Sequence, residues 1–110
     1  MSNVHIPESP WFSYRDGALL CEEVPLLCEE VPLASIAAEV DTPAFVYSGA
    51  AIDEAYRSID QALSFAPHLI AYAVKANGNL SVLARLASQG CGADIVSVGE
   101  MQRALKAGFP

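Results

Sequence analysis

The chain has 110 residues, enough for one small domain. Six basic residues against thirteen acidic ones give a net charge of −7, and no basic stripe runs through the sequence, so a nucleic-acid partner is excluded. The longest apolar run, Leu69–Val74, falls far short of a membrane span, and the polar start MSNVHIPESPWFSYRDG lacks the basic end and apolar stretch of a signal peptide; the expectation is a cytoplasmic protein without membrane contact.

The N-terminal arm, residues 1–42, holds an exact repeat: LLCEEVP occupies 19–25 and again 26–32. Seven residues are too few for a solenoid unit, and the proline in each copy rules out a coiled coil. A local duplication is the simplest account. It is expected to bulge out as an enlarged loop, with a shifted strand register as the costlier alternative. The repeat makes Cys28 a copy of Cys21. With Cys91 the cysteines are odd in number, without a C-x-x-C pair, and His5 and His68 stand far apart. Reduced, partly buried thiols and no metal site are expected. The arm closes with LASIAAEV (33–40), a short helix with Leu33, Ile36, Ala37 and Val40 on one face, stopped at DTP because Pro43 disfavours helix at Thr42.

Residues 43–110 have a rhythm of strand and helix. AFVYS (44–48) is predicted as a buried strand. The segment after it places Ile52, Tyr56, Ile59 and Leu63 along one face of an amphipathic helix that ends by Pro67. LIAYAVK (69–75) is the second predicted strand. Asn79 is placed to cap a helix with Leu80, Leu83, Leu86 and Ala87 on its apolar face, and Gly90 suits its C-terminal turn. ADIVS (93–97) is the third strand. Ser97 and Glu100 then have the spacing of a capping box, the plain structural role for Glu100, and Gly108 ends the last helix.

Consecutive β/α units at this spacing indicate a parallel sheet. The composition, 53% apolar and 17% charged, suggests strands buried on both faces. No G-x-G-x-x-G follows the first strand, which weakens a doubly wound dinucleotide fold. The fold class expected is α/β, a partial (β/α)8 TIM-type barrel of about three β/α units behind the N-terminal arm. In a barrel the active site gathers at the C-terminal ends of the strands, where Lys75 falls. A charged amine is costly in an apolar strand. Lys75 therefore either snorkels to water or is kept for chemistry. Asp94 has two readings as well: a strand-edge carboxylate facing water, or an acid brought beside Lys75 by the neighbouring strand.

YAVKAN, followed by NLSVLARLASQGCGADIVSVGEMQRALKAGFP, resembles the N-terminal part of the diaminopimelate decarboxylase family, whose members are pyridoxal-phosphate enzymes of the alanine-racemase-like barrel class. The similarity reaches back through VPLASIAAEVDTPAFVYS to FSYRDGALL, and removing one LLCEEVP makes it continuous. The resemblance implies pyridoxal 5'-phosphate as cofactor, Lys75 as its covalent anchor and Asp94 as the acid near that lysine and the cofactor. It implies conversion of meso-2,6-diaminopimelate, a small amino-acid substrate, to L-lysine and CO2, and a homodimer for the full-length family member. Arg15 and its stretch resemble the arm that joins a later β-domain. The family's common SGGE is SVGE here, with Val98 in place of a glycine. Its phosphate-binding glycine loop, the acid facing the pyridine nitrogen and the C-terminal domain have no counterpart in this sequence, so the chain alone is expected to lack decarboxylase activity. Two alternatives stand beside this reading. One is a related arginine- or ornithine-type decarboxylase; alanine racemase fits less well, since its lysine motif continues with Tyr-Gly-His where this chain has GNLSV. The other is a non-catalytic interaction protein derived from the enzyme and pairing through open strand edges.

Overall fold

A computed structural model describes residues 13–15, 18–21, 24–25 and 27–110; His5 and the rest of the opening stretch lie outside the described residues. The chain divides into two compact units, Met1–Ser48 and Gly49–Pro110.

The first unit is built on short antiparallel strands. β1 (Ser13–Arg15) pairs with β2 (Ala18–Cys21), and β2 pairs with β3 (Val24–Pro25). β4 (Leu27–Cys28) and β5 (Val31–Pro32) form a separate pair. The two copies of LLCEEVP therefore fold alike. In the first, Leu20 faces Pro25 and Cys21 faces Val24; in the second, Leu27 faces Pro32 and Cys28 faces Val31. The repeat is thus neither the expected loop bulge nor a register slip. Each copy carries its own strand–turn–strand pattern, so an added copy closes on itself and its register is set locally. In the second hairpin Glu29 and Glu30 sit at φ 49° and 72°. Positive φ at both turn residues matches the twist of a two-residue hairpin, at a strain of about 1–2 kcal/mol for each non-glycine residue. Cys28 is buried, as a bulged loop would not allow.

α1 (Leu33–Val40) forms as predicted. It half-buries Leu33, Ile36 and Ala37, while Val40 at its last turn is exposed. Residues 44–48 do not form the expected buried strand. They belong to no sheet among the described residues, Phe45 is 90% exposed, and its ring stacks on that of Tyr47 at 6.5 Å. Apolar content alone does not make a strand; a buried one needs neighbours that pair its backbone and cover both faces.

The second unit runs α2 (Gly49–Ala62), β6 (Ala71–Ala73), a 3-10 turn (Val74–Ala76), α3 (Leu80–Ala87), β7 (Gly92–Asp94) and α4 (Val98–Ala107). β6 and β7 are parallel, with Ala71 opposite Gly92, Tyr72 opposite Ala93 and Ala73 opposite Asp94. Both are shorter than expected, and neither is buried on both faces. Among the described residues each strand has one partner, and the chain leaves the sheet after three residues. The core is a single cluster of Val74, Val82, Leu83, Leu86, Cys91, Ala104 and Phe109, with Ile52 and Tyr56 of α2 packed against it. Ile59 and Leu63, on the same predicted stripe of α2, stay exposed.

The predicted caps are present. Asn79 Oδ1 accepts from the Ser81 and Val82 amides at 2.9 and 3.3 Å, which satisfies the donors that open α3. Ser97 Oγ accepts from the Glu100 amide at 3.1 Å, and Glu100 reaches back to the Val96 amide at 2.7 Å. Val98, in place of the family's glycine, is simply the exposed first residue of α4. Gly90 and Gly108 take φ of 87° and 103°, as helix-ending glycines do. A bidentate ion pair joins α2 to α3. Arg85 Nε and Nη2 each donate to Asp53 at 2.8 Å, and Gln89 adds a third bond at 2.9 Å. The guanidinium lies so close over Gly49 that a Cβ there would fall 2.6 Å from it.

Candidate active site

Lys75 is not in a strand. It occupies the middle of the 3-10 turn that follows β6, between the buried Val74 and the exposed Ala76. The turn separates the two neighbours by environment: Val74, 1% exposed, enters the core, and Lys75 faces out. The charge is never buried, so the desolvation problem posed by the apolar sequence does not arise. Asp94 ends β7, directly opposite Ala73, and is exposed. Parallel pairing thus sets Lys75 and Asp94 at the same, C-terminal end of the sheet, two residues apart in register. No ion pair joins them among the described residues, so Asp94 is not an acid neutralised by Lys75.

The loop after Lys75 is tied down by three bonds to the backbone. Tyr72 Oη donates to the Asn77 carbonyl at 3.2 Å, the Asn79 amide donates to Asn77 Oδ1 at 3.0 Å, and Arg103 Nη1 donates to the Gly78 carbonyl at 3.1 Å. Periodicity and motif spacing do not single out Tyr72, Asn77 or Arg103. The Asn-Gly-Asn run is a signal for Asn77 alone, since its residues favour side-chain bonds to nearby backbone.

Cys91, immediately before β7, is part of the core cluster, 3% exposed, with its Sγ 3.3 Å from the Ile70 carbonyl. Burial pushes its thiol up, against a smaller opposing effect of a backbone bond to Tyr72, so it is held as a protonated core residue. The shallow hollow beside β7 and α4, lined by Gly92, Ala93, Ile95, Met101, Ala104 and Leu105 among others, is apolar and includes neither Lys75 nor Asp94. Among the described residues no group of His, Cys, Asp or Glu is placed to hold a metal ion, and no helix is long and apolar enough to cross a membrane.

These residues fit the covalent capture of an aldehyde. A primary amine stands exposed at the C-terminal end of a parallel sheet, unpaired with any carboxylate, with an acid presented by the adjacent strand.

Known proteins share its sequence and fold. The family described as pyridoxal-dependent decarboxylase, pyridoxal binding domain, matches residues 49–110, and the chain belongs to it. It is 51% identical over 99 residues to diaminopimelate decarboxylase from Vibrio cholerae, covering 89% of this chain and 22% of that protein. Among solved structures it resembles AQ1208 from Aquifex aeolicus (42% identity, TM-score 0.71, covering 92% of this chain and 23% of that one). It also resembles diaminopimelate decarboxylase from M. jannaschii in complex with L-lysine (30% identity, TM-score 0.70, 90% and 23%). The fold class is accordingly TIM-barrel-like, and the chain spans about a fifth of the length of the curated relatives it matches.

Proposed function

We propose that this chain forms the first three β/α units of the pyridoxal-binding barrel of a decarboxylase that converts meso-2,6-diaminopimelate to L-lysine and CO2. Lys75 is the covalent anchor of pyridoxal 5'-phosphate and Asp94 the carboxylate beside it. The observation that carries this reading is the shared end of β6 and β7: the two residues leave adjacent parallel strands on the side where barrel enzymes hold their sites. About half-identity to diaminopimelate decarboxylases over that stretch gives the substrate class. A cytoplasmic homodimer goes with the same reading.

Bound pyridoxal phosphate supplies the electron sink for the carbon–carbon bond that breaks. The chain's own part is anchoring and orientation. Lys75 would hold the cofactor covalently through its Nζ. Asp94, from the neighbouring strand, would set a negative charge at the same mouth, where it would attract the cationic groups of the substrate.

The test has two arms. Pyridoxal phosphate and borohydride added to the 110-residue chain should label Lys75 in preference to Lys106, the other lysine, as read by peptide mass mapping. Equal labelling of the two would remove Lys75 from the anchor role. Replacing the matching segment of the Vibrio cholerae enzyme with residues 49–110 should keep diaminopimelate decarboxylation, and Lys75→Ala in that chimera should abolish it. The unsupplemented chain should release no lysine; substrate-dependent release would overturn its dependence on the remaining barrel.

A further inference from the structure

We infer that Arg103 is a positioning residue for Lys75, acting through the loop at 77–79; the inference rests on the proposed anchor role of Lys75. Arg103 extends from α4, the helix that follows β7 and Asp94, to the loop that follows β6 and Lys75. Its Nη1 donates to the Gly78 carbonyl at 3.1 Å. Its Cδ lies 3.5 Å from where a Cβ on Gly78 would stand, so the stem runs along the bare glycine backbone. The bond therefore joins the two segments that carry the candidate site residues.

The joint matters because of what it restrains. A single 3-10 turn has poor hydrogen-bond geometry and little stability of its own. Of the three residues in this one, only Val74 is buried. Tyr72 holds Asn77 from the strand side, and Asn79 is fixed by capping α3. Gly78, between them, has no side chain and is held by Arg103. Without that bond the peptide between Asn77 and Asn79 gains freedom, and Lys75, three residues upstream, loses its fixed direction out of the sheet. Arg103 is exposed on α4 and takes no part in the core, so its removal should loosen the loop and not the unit.

The experiment compares the chain with Arg103→Met, Arg103→Lys and Arg85→Met. The readouts are the ratio of pyridoxal-phosphate label on Lys75 to that on Lys106 and amide exchange over 74–79. Arg103→Met should lower the ratio up to about tenfold, the loss of one charge-assisted hydrogen bond. It should also speed exchange over 74–79 while leaving 82–86 protected. Arg103→Lys, which keeps a donor, should recover most of the ratio. Arg85→Met weakens the α2–α3 ion pair in the same unit and should leave the ratio unchanged, which separates positioning from general destabilisation. A wild-type ratio and exchange rate in Arg103→Met would overturn the inference, as would an equal fall of the ratio in Arg85→Met. Should the unaltered chain not label Lys75 selectively, the proposed function fails. Exchange over 74–79 then still decides whether Arg103 orders the turn.

Discussion

Replacing Leu83 with alanine tests the packing on which the site stands. Leu83 is the most deeply buried side chain of the second unit, with 0% exposure, at the centre of the cluster that Val74, Val82, Leu86 and Cys91 complete. The substitution removes three carbons at about 0.8 kcal/mol each in transfer free energy. The cavity term raises the expected loss to about 3–4 kcal/mol. A unit of about sixty residues has a total stability of roughly 3–9 kcal/mol, so the loss is a large share of it. Urea unfolding followed by the helical circular-dichroism signal of the full chain measures the change. Leu105→Ala, at a position 57% exposed on α4, is the control and should move stability by under about 0.5 kcal/mol. If Leu83→Ala moved it no further than the control, α3 would not share a core with Val74 as described, and the placing of Val74, hence of Lys75, would fall with it.

Two predictions concern pH. His68 Nδ1 lies 2.9 Å from the Ala66 carbonyl and its Nε2 2.9 Å from Asp60, both acceptors, so only the doubly protonated ring donates both bonds. The Ala66 bond, followed by the one to Asp60, raises its pKa. Its stabilising contribution is therefore complete below the unfolded value of about 6.5 and is lost as pH rises through the higher folded value; His68→Gln should flatten that decline in urea titrations. Asp53 is shifted the other way, lowered first by its bond to Arg85. Its contribution is present above the unfolded value of about 3.9 and lost as pH falls through the lower folded value, so Asp53→Asn should remove that acid limb. An unchanged pH profile in either variant would refute the corresponding contact.

What the sequence revealed was set by how local its causes are. Helix α2, the Asn79 and Ser97 caps and the two helix-ending glycines depend on residues within one or two turns, and they stand where pattern and cap chemistry put them. Strand extent depends on partners far along the chain. LIAYAVK contributes three paired residues and ADIVS only two, and AFVYS contributes none in the described residues, because pairing and not apolar content ends a strand. The repeat misled for a related reason. A duplicated segment invites the image of a slack insertion, yet LLCEEVP already contains both arms of a hairpin. Tyr72 and Arg103 left no trace in periodicity, since a side chain that bonds a distant carbonyl obeys no spacing rule.

The early end of β6 also answers why a lysine belongs in so apolar a stretch. Had the strand continued, Val74 and Lys75 would point to opposite faces of a sheet. One face is already filled by the core. A 3-10 turn instead drops Val74 into that core and turns Lys75 outward at the sheet's end. Burial energy from the valine thus fixes the backbone that presents the amine, while the charge stays in water. The division of labour has a consequence for variation. Changes at Val74 or Leu83 should act on the whole unit, whereas changes at Gly78 or Arg103 should act on the direction of Lys75 with the core intact.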